Sequence, residues 1–172
     1  MFKKMFTRFS KVVAAGLVLS FMFLVPGAEA SHWGLSGGLQ THDPTIVRES
    51  GNTWWSASTG TGIGMKYSTN GGKTWTDGLP IFSRPLSWWK KYAPNMTTND
   101  VWAPDLEYYR GRYYCYYSVS EFGKNNSAIG LVSCSSISKG DWRDDGVVLY
   151  SRYGSSKFNA IDPTLVVDAK GK

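Results

Sequence analysis

Cysteine and histidine each occur twice in the 172 residues, and glutamate four times. Two cysteines cannot build a disulfide-framework miniprotein, nor a four-ligand zinc site by themselves. Charged residues make up 19% of the chain, too few for a coiled coil. The net charge is +6, but four of the 19 basic residues and one of the 13 acidic residues lie within residues 1–30. From residue 31 onward 15 basic side chains face 12 acidic ones, with no basic run of five or six. That excludes the electrostatic footprint of a nucleic-acid partner. Beyond residue 30 no apolar run approaches the roughly 20 residues that span a bilayer. Helical periodicity is also nearly absent there. Aromatic residues, by contrast, are plentiful. All eight Trp and ten Tyr follow residue 30, too many for a disordered chain.

The first 30 residues form a separate unit of sequence. Residues 1–11 are basic, 12–25 are uncharged and mostly apolar, Pro26-Gly27 breaks the run, and Ala28-Glu29-Ala30 offers small residues to a peptidase. This is the pattern of a secretory signal peptide cleaved after Ala30, and the apolar run is too short for an anchor. The remainder is expected to be secreted and extracellular, with no membrane attachment after cleavage. Cys115 and Cys134 then meet an oxidising compartment. A disulfide between paired strands and two buried thiols both fit their positions.

Residues 31–172 read as short β-branched or aromatic runs divided by Gly, Asn, Asp and Ser. Strands are predicted at 45–49, 53–58, 64–68, 106–109, 113–119, 128–134, 147–150 and 164–167. A long connection at 83–99 carries one helical turn near 87–92. An internal repeat organises these strands. Asp43-Pro44, Pro104-Asp105 and Asp162-Pro163 each open an apolar strand that runs to a glycine, and Gly51, Gly111 and Gly171 stand sixty residues apart. A repeated four-stranded unit of this length is a propeller blade. The fold class is therefore all-β, with two blades and the start of a third, and residues 31–172 read as the N-terminal part of a longer propeller domain. Ser68-Thr69-Asn70-Gly71-Gly72-Lys73-Thr74-Trp75 fits an Asp-box, a hairpin device with a buried Trp that supports a propeller without naming a reaction.

Strand starts on the inner edges of blades converge on a shared cavity, so Asp43, Asp105 and Asp162 are candidate acids. Carboxylates facing one another across such a cavity suit glycosidic bond cleavage. A turn-capping role for each Asp beside its Pro is the competing reading. Trp102, Phe122, Trp54 and Trp55 offer flat faces to sugar rings, although most aromatics in such a fold pack between blades. His42 adjoins the first acid.

His42-Asp43-Pro44, Trp102-Ala103-Pro104-Asp105, Ser118-Val119-Ser120-Glu121-Phe122-Gly123 with Ser127-Ala128-Ile129-Gly130-Leu131, and Asn159-Ala160-Ile161-Asp162-Pro163 resemble, in order and spacing, the endo-1,5-α-L-arabinanases of glycoside hydrolase family 43. The resemblance covers roughly residues 40–172. It implies a five-bladed β-propeller and an inverting, secreted hydrolase of plant-wall arabinan or arabino-oligosaccharides, acting as a monomer. It implies Asp43 as general base and Asp162 as the acid that raises and orients the general acid. Trp102 and Phe122 would line arabinose subsites, with His42 and Asn159 bordering them. The general acid of the family is a Glu in a later blade. Glu29, Glu49, Glu107 and Glu121 do not match its motif, so this chain alone is expected to be inactive. No cofactor or metal ligand is expected within it, and an axial ion such as calcium would draw on later residues. An exo-acting α-L-arabinofuranosidase or β-xylosidase, and a catalytically silent carbohydrate-binding propeller, are the alternatives. A sialidase would need an arginine cluster and a Tyr nucleophile that the sequence does not show.

Overall fold

The computed structural model describes residues 34–171, so the predicted signal peptide at 1–30 lies outside the described residues. The first repeat unit folds into strands β1 (Ser36–Gly37), β2 (Thr45–Ser50), β3 (Thr53–Ser58), β4 (Gly60–Thr61), β5 (Gly64–Ser68) and β6 (Thr74–Asp77). A one-turn helix, α1 (Trp89–Tyr92), interrupts the long connection. The second unit supplies β7 (Asp100–Tyr109), β8 (Arg112–Ser120), β9 (Ser127–Cys134) and β10 (Arg143–Ser151).

Two five-stranded sheets result, in the orders β1-β6-β5-β3-β2 and β10-β9-β8-β7-β4. Each contains an antiparallel four-stranded meander, β2-β3-β5-β6 or β7-β8-β9-β10, as the repeat predicts. The repeat glycine works where the chain must reverse. Between β7 and β8, Arg110 and Gly111 take φ of 46° and 87°, and Tyr109 pairs with Arg112 across them. Two successive positive φ values form the primed turn that matches strand twist, and glycine reaches them without penalty.

Two additions join the meanders into a larger unit. The short β1 pairs parallel with β6. The short β4, which comes from the first blade, pairs with β7 of the second, and Thr61 Oγ1 donates to Asp100 Oδ1 over 2.8 Å. The core fills the seam between the blades. Ala57, Ile63 and Met65 meet Leu106, Cys115, Tyr117 and Val119, all buried. Trp89 of α1 brings its indole against this seam, 5.1 Å from the Phe82 ring at 86°, and donates from Nε1 to the Tyr117 hydroxyl over 3.4 Å. Trp55, Trp88 and Trp142 pack against the same core, whereas Tyr108, Phe122, Tyr150, Tyr153 and Phe158 are exposed.

The third repeat differs from expectation. Residues 164–167 form no strand. A strand needs a partner in its own sheet, and among the described residues none follows it. Its backbone leans instead on the second blade. The Leu165 N–H donates to Asp105 Oδ2 over 2.6 Å, and the Tyr109 hydroxyl and Arg110 guanidinium donate to the Gly171 carbonyl.

The Asp-box closes the β5–β6 turn. Ser68 Oγ accepts from Gly72 N–H at 3.0 Å, and Asn70 Oδ1 accepts from Thr74 N–H at 2.9 Å. Trp75 is half-buried rather than buried. Both cysteines are free, buried thiols. Cys134 stands opposite Tyr113 and Cys115 opposite Val132, so the two are diagonal neighbours. Diagonal positions lie about 7–8 Å apart, outside disulfide reach. Burial pushes the Cys134 thiol up to about 12 and that of Cys115 higher still.

Candidate active site at one end of the two blades

Strand direction places all six predicted site residues at the same end of the sheets. Asp43 precedes the start of β2, Trp102 lies near the start of β7, Phe122 follows the end of β8, and Asn159 and Asp162 follow β10. Three residues that precede proline take left-handed backbone there: Asp43 at φ 48°, Ala103 at 37° and Asp162 at 54°. Proline disfavours helical backbone in the residue before it, and each such departure stores about 1–3 kcal/mol that the surroundings must offset.

Hydrogen bonds within and between blades supply that support. The Thr59 hydroxyl, just past β3, donates to Asp43 Oδ2 over 2.8 Å and accepts the Ala103 N–H over 2.8 Å. The Thr59 N–H donates to the His42 carbonyl at 2.9 Å. Trp102 pairs across the ladder with Ser118, whose hydroxyl accepts the Asp162 N–H at 2.9 Å. Asp43 and Asp162 are therefore joined through Thr59, the Trp102–Ala103 corner and Ser118. Both carboxylates stay exposed. His42 Nε2 lies 3.4 Å from Asp43 Oδ1.

Trp102 and Phe122 form an edge-to-face pair with centroids 6.5 Å apart at 74°. The Phe122 ring is 95% exposed, which leaves its faces open to a ligand. The pair lines a groove of about 390 Å3 together with Asn95, Asp100, Glu121 and Lys124. Neither Asp43 nor Asp162 lines that groove. Asn159 is fixed from below: its Oδ1 accepts from Ser127 Oγ at 2.5 Å, and Ser127 in turn lies 2.7 Å from Ser120 Oγ. Ser127 spends its single proton on Asn159, so Ser120 is the donor of that second bond.

Asp105 is a correction. The left-handed residue before the proline of the second repeat is Ala103, so Asp105 aligns with Thr45 rather than with Asp43. Its carboxylate is used by Leu165 N–H, just as Thr45 Oγ1 accepts the Leu106 N–H over 3.2 Å one blade earlier. Both join neighbouring repeats. Trp55 is also placed elsewhere, against Tyr67 with centroids 5.4 Å apart and bonded to Glu49 over 2.7 Å.

The glutamates are poorly suited to donate a proton here. Burial alone would raise Glu121, but hydrogen bonds from Asn95 N–H and Nδ2 and from Asn126, with the Lys124 charge, hold it below its ordinary range. Glu49 is likewise lowered, because bonds from Ser138, Ser136 and Trp55 outweigh its burial. Glu107 is raised by burial and by Asp105, yet it lies five residues down β7 from Trp102, roughly 15 Å along the strand. Among the described residues no three His, Cys, Asp or Glu side chains gather into a metal-holding cluster. No helix among them is long and apolar enough to cross a membrane.

Sequence reasoning missed Thr59 entirely, and it named Ser118 and Glu121 within a motif without their roles at the site. Thr59 carried a faint signal, standing where a strand ends one turn from a predicted acid.

Comparison with known proteins agrees with this layout. The chain is 47% identical to the extracellular endo-α-(1->5)-L-arabinanase 1 of Bacillus subtilis, over 98% of its own length and 52% of that protein's. It is 37% identical to the extracellular exo-α-(1->5)-L-arabinofuranosidase ArbA of Cellvibrio japonicus, over 78% of the chain and 39% of that protein. The solved GH43 endo-arabinanase of Bacillus licheniformis superposes with a TM-score of 0.76 at 51% identity, covering 81% of this chain and 48% of that one. A Cellvibrio cellulosa α-L-arabinanase solved with arabinohexaose gives 0.72 at 36% identity, covering 77% and 42%. The chain thus spans about half the length of these relatives or less. Its two blades are part of a five-bladed β-propeller. The family description glycosyl hydrolases family 43 matches residues 38–172, and the chain belongs to that family.

Proposed function

We propose that the protein carrying residues 1–172 is a secreted hydrolase that cuts α-1,5-linked arabinan in plant-wall polysaccharide by inversion. Asp43 acts as general base: it takes a proton from water as the water oxygen attacks the anomeric carbon, the glycosidic C–O bond breaks, and the general acid gives its proton to the departing oxygen. Asp162 orients the general acid, a Glu that the family resemblance puts beyond residue 172, and raises its pKa by like-charge repulsion. Inversion needs room for water, so base and acid are expected roughly 6.5–9.5 Å apart, a gap that suits residues from different blades. Trp102 and Phe122 stack against arabinose rings, and His42 and Asn159 flank them.

The observation that supports this reading best is the bonded path from Asp43 through Thr59 and the Trp102–Ala103 corner to Ser118 and Asp162. It holds a base and an aromatic sugar platform in one frame. Secretion is supported by the extracellular names of two relatives. The decisive experiment is Asp43→Ala: release of arabino-oligosaccharides from linear arabinan should cease, and full retained activity rejects the assignment.

A second reading, exo-action, is favoured by the likeness to an exo-arabinofuranosidase. Comparing a nitrophenyl arabinofuranoside with the polymer separates the two, because a clear preference for the small substrate selects the exo reading.

A further inference from the structure

Asp43 is an exposed carboxylate on a strained, left-handed corner before a proline. Nothing in its own strand can hold such a side chain still, since the strand begins two residues later. Its support comes from Thr59 across the sheet. Thr59 clasps the His42–Asp43 dipeptide twice, from its N–H to the His42 carbonyl at 2.9 Å and from its hydroxyl to Asp43 Oδ2 at 2.8 Å.

A hydroxyl has one proton and can spend it in several directions. Here the choice is made by the second blade. The Ala103 N–H occupies an acceptor site of Thr59 Oγ1 at 2.8 Å, which leaves the hydroxyl proton for Asp43. The chain Ala103 N–H, Thr59 O–H, Asp43 carboxylate is therefore directional, and its last link is a bond to a charged acceptor, stronger than a neutral one. With Oδ2 engaged by Thr59, Oδ1, which has His42 Nε2 beside it at 3.4 Å, keeps a lone pair to receive a proton from water.

We propose that Thr59 is a positioning residue for Asp43, and that the docking of the second blade sets it through Ala103. This rests on the reading of Asp43 as general base. The next junction separates this role from mere blade joining. Ser118 Oγ accepts the Asp162 N–H just as Thr59 accepts the Ala103 N–H, so hydroxyl-to-backbone joining recurs. The bond onward to the base is the added feature at Thr59.

The test compares Thr59→Val with Thr59→Ser in the protein carrying residues 1–172, assayed on linear arabinan. Valine keeps the shape and removes the hydroxyl, whereas serine keeps the hydroxyl. Valine should lower kcat about 10- to 100-fold, the range for a hydrogen bond to a charged group, with KM changed by less than about threefold. Serine should restore kcat to within about threefold. Amide exchange at Ala103 should accelerate in the valine variant and return to the parent rate in the serine variant. Unchanged kcat in Thr59→Val, or a serine variant as slow as the valine one, overturns the proposal. If Asp43→Ala abolishes hydrolysis while Thr59→Val does not, this inference alone fails. If Asp43→Ala leaves activity intact, the general-base reading falls first.

Discussion

Phe122 shows at the residue scale how exposure points to function. Its ring is 95% exposed and makes an edge contact to Trp102. Truncation there removes little from the core, so Phe122→Ala should move the melting midpoint within the small range of surface substitutions. Covering one ring face, roughly 50 Å2, is worth about 1 kcal/mol. Affinity for arabino-oligosaccharides, measured by calorimetry, should therefore fall about five- to tenfold while stability holds. Glu121 behaves in the opposite way. Its carboxylate is buried and ties Asn95 of the long connection to Asn126 of its own β8–β9 turn. Replacing it by Gln puts an NH2 against donors, so Glu121→Gln should cost about 1–3 kcal/mol. Chemical denaturation measures that cost, and groove affinity should drop with it. Phe122 was legible from a motif. Glu121 stands in the same motif, but its tie to Asn95 was not legible, because the partner lies 26 residues away and no local pattern marks the pair.

Single strands and hairpins were legible in proportion to how local their cause is. The meanders follow from alternation and from turn glycines, and both lie in plain view in the sequence. The strand at Asp100–Tyr109 begins six residues earlier than expected, because Ala103-Pro104 reads as a break. The structure absorbs it as a register shift between Trp102 and Asp105. The same prolines mislead the repeat alignment: Asp follows proline in the second unit and precedes it in the others, so Asp105 looked like a third site acid. The two-residue strands at Ser36–Gly37 and Gly60–Thr61 exist only through their partners and left no signal of their own. Gly130 in β9 offers a prediction at this scale. A Cβ there would lie 2.4 Å from the Tyr117 ring and 2.9 Å from Trp88. Gly130→Ala must displace a ring packed in the seam, and overpacking of this kind costs about 1–3 kcal/mol. A lowered melting midpoint with unchanged strand content in circular dichroism is expected. An unchanged midpoint means the seam is looser than these distances imply.

Across the described unit the two blades are fastened at both ends. Thr59 and Ala103 join them at the site end, and Glu49 joins them at the other. Its carboxylate, on β2, accepts from Trp55 Nε1 of its own blade at 2.7 Å, and from the Ser136 hydroxyl at 2.8 Å and the Ser138 N–H at 3.1 Å in the turn of the second blade. The Ser138 hydroxyl adds a further bond, and the Tyr113 hydroxyl donates to the Glu49 carbonyl at 3.2 Å. Trp55 Nε1 and the Ser138 N–H can only donate, and the Ser136 and Ser138 hydroxyls donate to the ionised carboxylate. They hold the folded carboxyl below its ordinary 4.5 against the opposing effect of burial. A folded pKa below the unfolded one means the latch contributes fully above the unfolded value and is lost as pH falls through the folded one. Blade docking should therefore weaken in the acid range below about pH 4.5. Glu49→Gln should remove about 1–2 kcal/mol at neutral pH, the lower part of the range for charged hydrogen bonds because the side chain is only half-buried. The variant should also show a flatter acid limb when denaturation midpoints are followed from pH 7 to pH 3. An acid limb identical to that of the parent would mean that other carboxylates carry the pH dependence and that Glu49 is a spectator at the seam.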